Sequence, residues 1–232
     1  MSEQFYSIQG EGVTTGTLAV FLRLQGCNLL CEGKKWRCDT IEVWQKGQPL
    51  TCEDIVAVWD QKGWLDALKA GAHLVITGGE PLLQQAELIL FLKMLDTQCQ
   101  QPCYVEIETN ATILPQQALC DRVNQWNVSP KLLNAGMTLG RVFKQDCLAA
   151  FSQLETAFFK FVVTCENDVK DVLDRYVTPF SLVCDRVMVM PAVDSRRGFY
   201  SAYRDCQLWA KRYGLTMSGR LQLQIWDQTT GV

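Results

Sequence analysis

Histidine is nearly absent from this chain: 232 residues contain one, His73. It precedes an apolar strand and so stands at the end of that strand away from where α/β folds place their chemistry, which reads as a structural or surface role. No usable histidine is left for acid–base work. An excess of positive charge is also missing. Lys and Arg total 22 against 25 Asp and Glu, a net charge of −3, so nucleic acid is excluded as a bulk partner. No apolar run is long enough to span a bilayer, and Met1-Ser2-Glu3-Gln4 shows no signal-peptide pattern; the expectation is a cytoplasmic protein with no membrane partner. Internal repeats, low-complexity tracts and linkers are lacking too, so the chain is expected to form a single domain over residues 1–232. What remains is ordinary globular material, 48% apolar and 20% charged, with enough of both to build a core.

Cysteine, by contrast, is abundant. There are eleven, an odd number in a sizeable chain without an export signal, which makes a disulfide framework a poor reading. Most are expected to be small core residues or helix-face thiols. Cys99 and Cys103 flank Gln100-Gln101-Pro102, a helix exit into a strand, and are not read as ligands. Cys27, Cys31 and Cys38 are different. They lie within twelve residues, just past the apolar, β-prone segment Leu18–Leu24. Three thiolates on one loop can hold three irons of a 4Fe–4S cube and leave the fourth corner open for a ligand. A zinc knuckle with a distant fourth ligand, or three unrelated thiols, would also fit the spacing.

Around this loop the sequence alternates strands and helices. Strands are expected at Leu18–Leu24, His73–Thr77, Tyr104–Glu108, near Asn127-Val128, Phe158–Val163, Arg186–Met190 and Leu221–Trp226. Helices are expected at Glu53–Gln61 after Thr51 as N-cap, at Trp64–Ala70, Leu83–Gln98, Asn167–Tyr176 and Tyr200–Tyr213; Leu119–Trp126 is ambiguous. Strand, crossover helix, strand, repeated, means a parallel sheet with right-handed connections. The fold class is therefore α/β, a partial βα barrel of about six parallel strands, with ligands at the C-terminal strand ends.

Several short motifs fall at those ends. Gly78-Gly79 lets backbone approach a ligand closely, although a plain turn would look the same. Glu106, Glu108 and Asn110 share one face of a strand end, either facing a ligand or forming a solvated edge. Pro130 fixes the backbone between Ser129 and Lys131. Arg23, on the first strand, needs an anion: a ligand carboxylate or a core acid would serve. Thr40 could offer its hydroxyl to magnesium or simply close a turn.

These residues together resemble a known family. Phe5-Tyr6-Ser7-Ile8-Gln9-Gly10-Glu11-Gly12, Phe21-Leu22-Arg23-Leu24-Gln25-Gly26-Cys27-Asn28-Leu29, Cys38-Asp39-Thr40, Thr77-Gly78-Gly79-Glu80-Pro81, Glu108-Thr109-Asn110 and Ser129-Pro130-Lys131 are similar to the signature of the 7-carboxy-7-deazaguanine synthases, of the radical S-adenosylmethionine superfamily. The resemblance implies a 4Fe–4S cluster on Cys27, Cys31 and Cys38 and S-adenosylmethionine against Asp39, Gly78, Gly79, Glu80, Glu108, Ser129, Pro130, Lys131 and Met190. It implies Mg²⁺ at Thr40. A pterin substrate is implied at Ile8, Gln9, Gly10, Glu11, Arg23, Thr77, Gln222 and the terminal carboxylate of Val232. The implied reaction converts 6-carboxy-5,6,7,8-tetrahydropterin to 7-carboxy-7-deazaguanine with loss of ammonia, a deazapurine and queuosine precursor. Flavodoxin or ferredoxin is implied as electron donor, and a homodimer as the assembly. A glycyl-radical activase, or another radical enzyme with a different substrate, would share the cluster and glycine motif, and a zinc-stabilised binding module stands as the non-enzymatic alternative. Two departures stand out. Six residues, Glu32–Arg37, separate the second and third cysteines where the superfamily usually has two. Gln222 stands where some family members have histidine.

Overall fold

A computed structural model describes residues 1–229 and 231. Eight strands form one sheet in chain order: β1 (Glu3–Ile8), β2 (Leu18–Leu24), β3 (His73–Gly78), β4 (Val105–Thr109), β5 (Gln125–Val128), β6 (Ala157–Val163), β7 (Val187–Pro191) and β8 (Thr216–Met217). β1 is antiparallel to β2, and every later neighbour pair is parallel. Among the described residues the end strands β1 and β8 do not pair, so the barrel stays open. The six expected parallel strands are β2–β7. The short β8 and the antiparallel edge β1, which holds Phe5 stacked on Phe21 at 4.8 Å, complete the sheet.

The helices are α1 (Ile41–Trp44), α2 (Cys52–Gln61), α3 (Trp64–Lys69), α4 (Gln85–Cys99), α5 (Gln117–Arg122), α6 (Leu139–Val142), α7 (Gln145–Ser152), α8 (Glu166–Val172), α9 (Thr178–Phe180), α10 (Phe199–Tyr213) and α11 (Leu221–Trp226). At α2 the capping box closes with Asp in place of Glu: Asp54 N donates to Thr51 Oγ1 and Thr51 N to Asp54 Oδ2, both at 3.1 Å. The helix expected over Asn167–Tyr176 changes pitch, passing from α8 into a π-turn at Leu173–Val177.

Strand alternation sorts residues onto two unlike faces. Val20, Leu22, Leu74, Ile76, Val105, Ile107, Trp126, Phe159, Phe161, Val187 and Val189 join the main core between the sheet and its helices. Burying each such side chain contributes about 1.5–3 kcal/mol. The other face lines the hollow of the barrel. Only Ala19, Phe21 and Val75, with Phe5, form an apolar cluster there. Polar positions of that face are Arg23, His73, Thr77, Glu106, Glu108, Gln125, Asn127 and Lys160, with Phe158, Val162, Met188 and Met190 beside them toward β6 and β7. The polar interior is what makes the hollow a site.

One expected strand is a helix. Leu221–Trp226 alternates apolar and polar residues and so fits a strand, but it folds as α11. The sheet has already ended at Met217, and Leu221 N is anchored to Gly10 O at 2.8 Å. That anchor lays the segment along the cleft with Leu223 buried. Tertiary context overrides the local period.

Candidate active site

A cleft of about 570 Å³ opens at the C-terminal strand ends, a size suited to small ligands. Cys27, Cys31 and Cys38 all line it. The loop that carries them packs as a small unit: Leu29, Cys31 and Ala135 are buried together, with Cys27, Trp36, Cys38 and Met137 against them. Cys38 N donates to Cys31 O at 2.9 Å and Leu29 N to Cys27 Sγ at 3.5 Å, which fixes the relative placement of the thiols. Burial pushes the Cys27 thiol up and that of Cys31 to about 11. Among the described residues no three His, Cys, Asp or Glu side chains converge on a single ion. A zinc centre needs ligands that meet on one ion, whereas a cube gives each thiolate its own iron.

The six-residue insertion Glu32–Arg37 is a small hairpin closed by a Glu32–Arg37 bridge. It interlocks with the segment that follows β5. Glu32 N donates to Ala135 O at 3.0 Å and Trp36 Nε1 to Asn134 Oδ1 at 3.1 Å. A Cβ on Gly33 would stand 1.8 Å from Asn134 O, so the close approach requires glycine. Trp36 is thus an anchor of the hairpin, and Arg37 pairs with Glu32 at 2.8 Å and Glu42 at 2.6 Å.

Gly78 and Gly79 line the cleft beside the thiols. A Cβ on Gly79 would come within 2.1 Å of Gly26 O and 2.6 Å of Cys27 Cβ, so the two loops meet only because that side chain is absent. Glu80, next in the chain after the glycine pair, turns its side chain away from the cleft. It is fully buried and does not line the cleft; Oε1 accepts from Leu82 N (3.0 Å) and Thr109 Oγ1 (2.9 Å), and Oε2 from Asn110 N (2.7 Å). Its carboxylate ties β3 to β4. Pro130 is likewise buried outside the lining, a backbone brace between Ser129 and Lys131, which do line the cleft and are bonded to each other at 2.8 Å. Asn110 reaches the cluster loop, its Nδ2 donating to Asn28 Oδ1 at 2.9 Å.

The opposite wall is a chain of charges. Lys160, 3% exposed, donates to Glu11 Oε2 at 2.7 Å and Glu108 Oε2 at 3.2 Å. Arg220 Nε donates to Glu11 Oε1 at 2.9 Å, and the same guanidinium bonds Asp39 and the Val193 carbonyl. Gln222 Nε2 donates to Glu11 Oε1 at 2.7 Å. Burial alone would raise Glu11, but the Lys160 and Arg220 cations outweigh it and hold the carboxyl well below the usual range. Burial opposes the Lys160 charge, yet Glu108 and Glu11 keep it raised. Glu108, where burial prevails over Lys160, is raised. Gln222 Oε1 is buried and has no hydrogen-bond partner among the described residues.

Ile8, Gly10, Arg23, Thr77 and Met190 also line the cleft. Arg23 pairs with an acid of the protein, Nε donating to Glu3 Oε1 at 2.7 Å, and its side chain borders the cleft beside its register partner Thr77. Thr40 lies with its hydroxyl 3.4 Å from Cys38 Sγ. Gln9 borders the cleft, but its amide is engaged. Oε1 accepts from Gly10 N at 2.9 Å, and Nε2 donates to Glu106 at 3.2 Å. Glu106 is not at a solvated edge: it is fully buried and also accepts from Thr14, Gln125 and Asn127. His73 has the structural role expected, 2.6 Å from Glu106 Oε1 and stacked on Tyr104. Val232 lies outside the described residues. Lys160 was missed by sequence reasoning, although a lone charge inside the apolar run Ala157–Val163 was a usable signal, since a buried cation needs acids around it. Arg220 had no such signal, because its partners are about 180 and 210 residues away in the chain.

Comparison with known proteins follows these features. Residues 8–128 match the family described as a 4Fe-4S single cluster domain. The chain is 35% identical to a 7-carboxy-7-deazaguanine synthase of Pyrobaculum aerophilum, over 99% of this chain and 95% of that protein. It is 33% identical to the namesake of Hyperthermus butylicus, over 96% and 91%. Among solved structures, QueE from Escherichia coli superposes with a TM-score of 0.64 at 25% identity, covering 94% of this chain and 92% of that one. anSMEcpe with bound AdoMet, at 18% identity and a TM-score of 0.55, covers 85% and 61% and shares the fold. No helix among the described residues is long and apolar enough to cross a membrane.

Proposed function

Because the chain belongs to the 7-carboxy-7-deazaguanine synthase family, we propose that it converts 6-carboxy-5,6,7,8-tetrahydropterin to 7-carboxy-7-deazaguanine, a step of deazapurine synthesis that releases ammonia. The observation that carries the reading is the meeting, in one cleft, of a three-thiol loop, a glycine pair pressed against it and a polar wall suited to a flat heterocycle. The donor set fits the implied groups: Cys27, Cys31 and Cys38 would hold a 4Fe–4S cluster with a vacant corner, and Gly78-Gly79 would lie along S-adenosylmethionine. When bound, the cluster supplies an electron that cleaves S-adenosylmethionine, and the cofactor carries the radical chemistry.

The protein's own residues bind, orient and exclude water. Glu11 is locked as an ionised acceptor by Lys160, Arg220 and Gln222, with about one of its four lone-pair sites left for a ring N–H. Gln222 Oε1 offers a second acceptor. Arg23 keeps its guanidinium NH₂ groups for the substrate carboxylate, because Glu3 engages Nε. Gln9 shapes the Gly10-Glu11 backbone from behind. Ser129, Lys131, Glu108, Asp39 and Met190 are assigned to the S-adenosylmethionine side, Thr40 to Mg²⁺, Thr77 and Ile8 to the substrate, and Val232 to the substrate through its carboxylate. Mg²⁺ would keep most of its water and take the Thr40 hydroxyl.

Further readings belong to the same proposal: one domain over 1–232, a cytoplasmic setting, a flavodoxin- or ferredoxin-type electron donor and a homodimer. Exposed Tyr6 and Leu18 on the β1–β2 edge support pairing of two copies. The test is anaerobic: reconstituted protein with reductant, S-adenosylmethionine and the carboxytetrahydropterin is expected to yield the deazaguanine. Cleavage of S-adenosylmethionine without a deazapurine product would move the chain to a different substrate. A glycyl-radical activase would have no use for Glu11 and Arg23.

A further inference from the structure

We propose that Glu106, one layer below Glu108 in the barrel, is a positioning residue for the substrate side of the site and acts on Glu11 through Gln9. The inference rests on the substrate reading above and extends it to a residue outside the cleft lining. Glu106 is fully buried on β4. An acid in the interior costs stability unless donors surround it, and here they come from distant parts of the chain. Oε2 accepts from Gln9 Nε2 (3.2 Å), Thr14 Oγ1 (3.0 Å), Gln125 Nε2 (3.3 Å) and Asn127 Nδ2 (2.9 Å). Oε1 lies 2.6 Å from His73 Nδ1. Gln9 and Thr14 belong to the turn that joins β1 to β2, closed by Gln9 N on Thr17 O and Gly16 N on Gln9 O, each at 2.8 Å. Both side chains therefore pin that turn to a single oxygen.

A carboxylate only accepts, so the Gln9 amide must turn its nitrogen toward Glu106. Its oxygen then faces the other way and accepts from Gly10 N at 2.9 Å and Glu11 N at 3.4 Å. One buried acid thus decides which way the amide points and where the Gly10-Glu11 backbone lies. The turn has no slack on its far side. Leu221 N bonds Gly10 O at 2.8 Å, and a Cβ on Gly10 would stand 2.0 Å from Gln222 Oε1. Lys160 and Arg220 fix the carboxylate of Glu11, and Glu106 fixes its backbone. Together they set the acceptor that a pterin ring meets. A shift of about 1 Å in such a group can cost roughly a hundredfold.

The test uses Glu106→Gln, which keeps the shape and brings an N–H₂ group among the donors. Thr14→Val is the milder second variant, because Thr14 lies off the cleft lining and its loss leaves the other donors on Glu106. His73→Phe, which frees only Oε1, is the control. Three readouts are taken on reconstituted protein: hydrogen–deuterium exchange of the amides of residues 9–17 without pterin, the dissociation constant for S-adenosylmethionine, and kcat and KM for the carboxytetrahydropterin. Glu106→Gln is expected to speed exchange and raise KM about tenfold or more, and Thr14→Val about threefold, with kcat falling less than KM rises. The S-adenosylmethionine constant should stay at the wild-type value in every variant, and His73→Phe should move neither exchange nor KM. Wild-type exchange and KM in both turn variants would overturn the proposal. So would an equal weakening of S-adenosylmethionine, or the same rise in His73→Phe, since either is what a general loss of stability produces. Exchange is read without pterin, so a wild-type protein that never converts the pterin would break the function while exchange at 9–17 still decides the role of Glu106.

Discussion

The two walls of the cleft are built on opposite terms. On one, Cys27, Cys31, Cys38 and the glycine pair present thiols whose only hydrogen bonds among the described residues are long ones to sulfur. On the other, Asp39, Arg220, Glu11, Lys160 and Glu108 satisfy one another in a continuous chain. The first wall is arranged for something the polypeptide does not supply. The second is complete in itself and offers a ligand only what is left over: a lone pair on Glu11, the unpartnered Gln222 Oε1 and the spare nitrogens of Arg23. Removing a residue from the first wall should therefore cost chemistry, and from the second, folding.

That contrast can be broken in graded ways. The largest effect is expected from Cys31→Ala, which should abolish cluster assembly and turnover. Urea denaturation of the metal-free protein should move by less than about 1.5 kcal/mol, because only one heavy atom leaves the buried site. A large loss of stability in that protein would make Cys31 structural. Next, Lys160→Met leaves Glu108 unpaired in the interior and Glu11 with Arg220 as its remaining cation, and should cost about 3–5 kcal/mol in the same experiment. Adding Glu108→Gln should recover part of it; no recovery would mean that the pairing does not carry the stability. Gly79→Ala should cost about 1–3 kcal/mol of strain and impair cluster loading, because Gly26 O and Cys27 Cβ fill the space. Iron content and turnover equal to wild type would refute the cradle.

The smallest effects lie away from both walls. His73→Phe removes one of several partners of Glu106 and should cost about 1 kcal/mol, read by thermal melting. Cys206, fully buried, has its thiol pushed by burial from 9.0 to about 12. A raised value favours the neutral form, so the contribution is fully present below about pH 9 and fades as pH rises toward 12. Cys206→Ala should flatten that part of the alkaline melting profile, and an unchanged slope would contradict the assignment.

The contrast also explains what was legible beforehand. The cysteine loop, Gly78-Gly79 and Arg23 announced themselves because their chemistry is local in sequence and costly to carry without purpose. β2–β7 were legible because buried parallel strands read as apolar runs. The place of the Glu80 side chain was not legible, since an acid beside a glycine pair looks the same in sequence whether it faces a cleft or, as here, caps Pro81–Gln84 and holds Thr109 and Asn110. Leu221–Trp226 misled for a related reason: its period of two was real, but the sheet ends at Met217 and Leu221 N is held by Gly10 O instead. The charge chain was hidden because Glu11, Lys160 and Arg220 come from the two ends and the middle of the sequence, and only the fold brings them together.

The most direct test of the central claim is electron paramagnetic resonance of the anaerobically reconstituted, one-electron-reduced protein, recorded before and after S-adenosylmethionine is added. A cluster held by Cys27, Cys31 and Cys38 with a free corner beside Gly79 should give a 4Fe–4S signal that changes shape when the cofactor binds. A 4Fe–4S signal untouched by the cofactor, or protein that binds zinc and no iron, would contradict it.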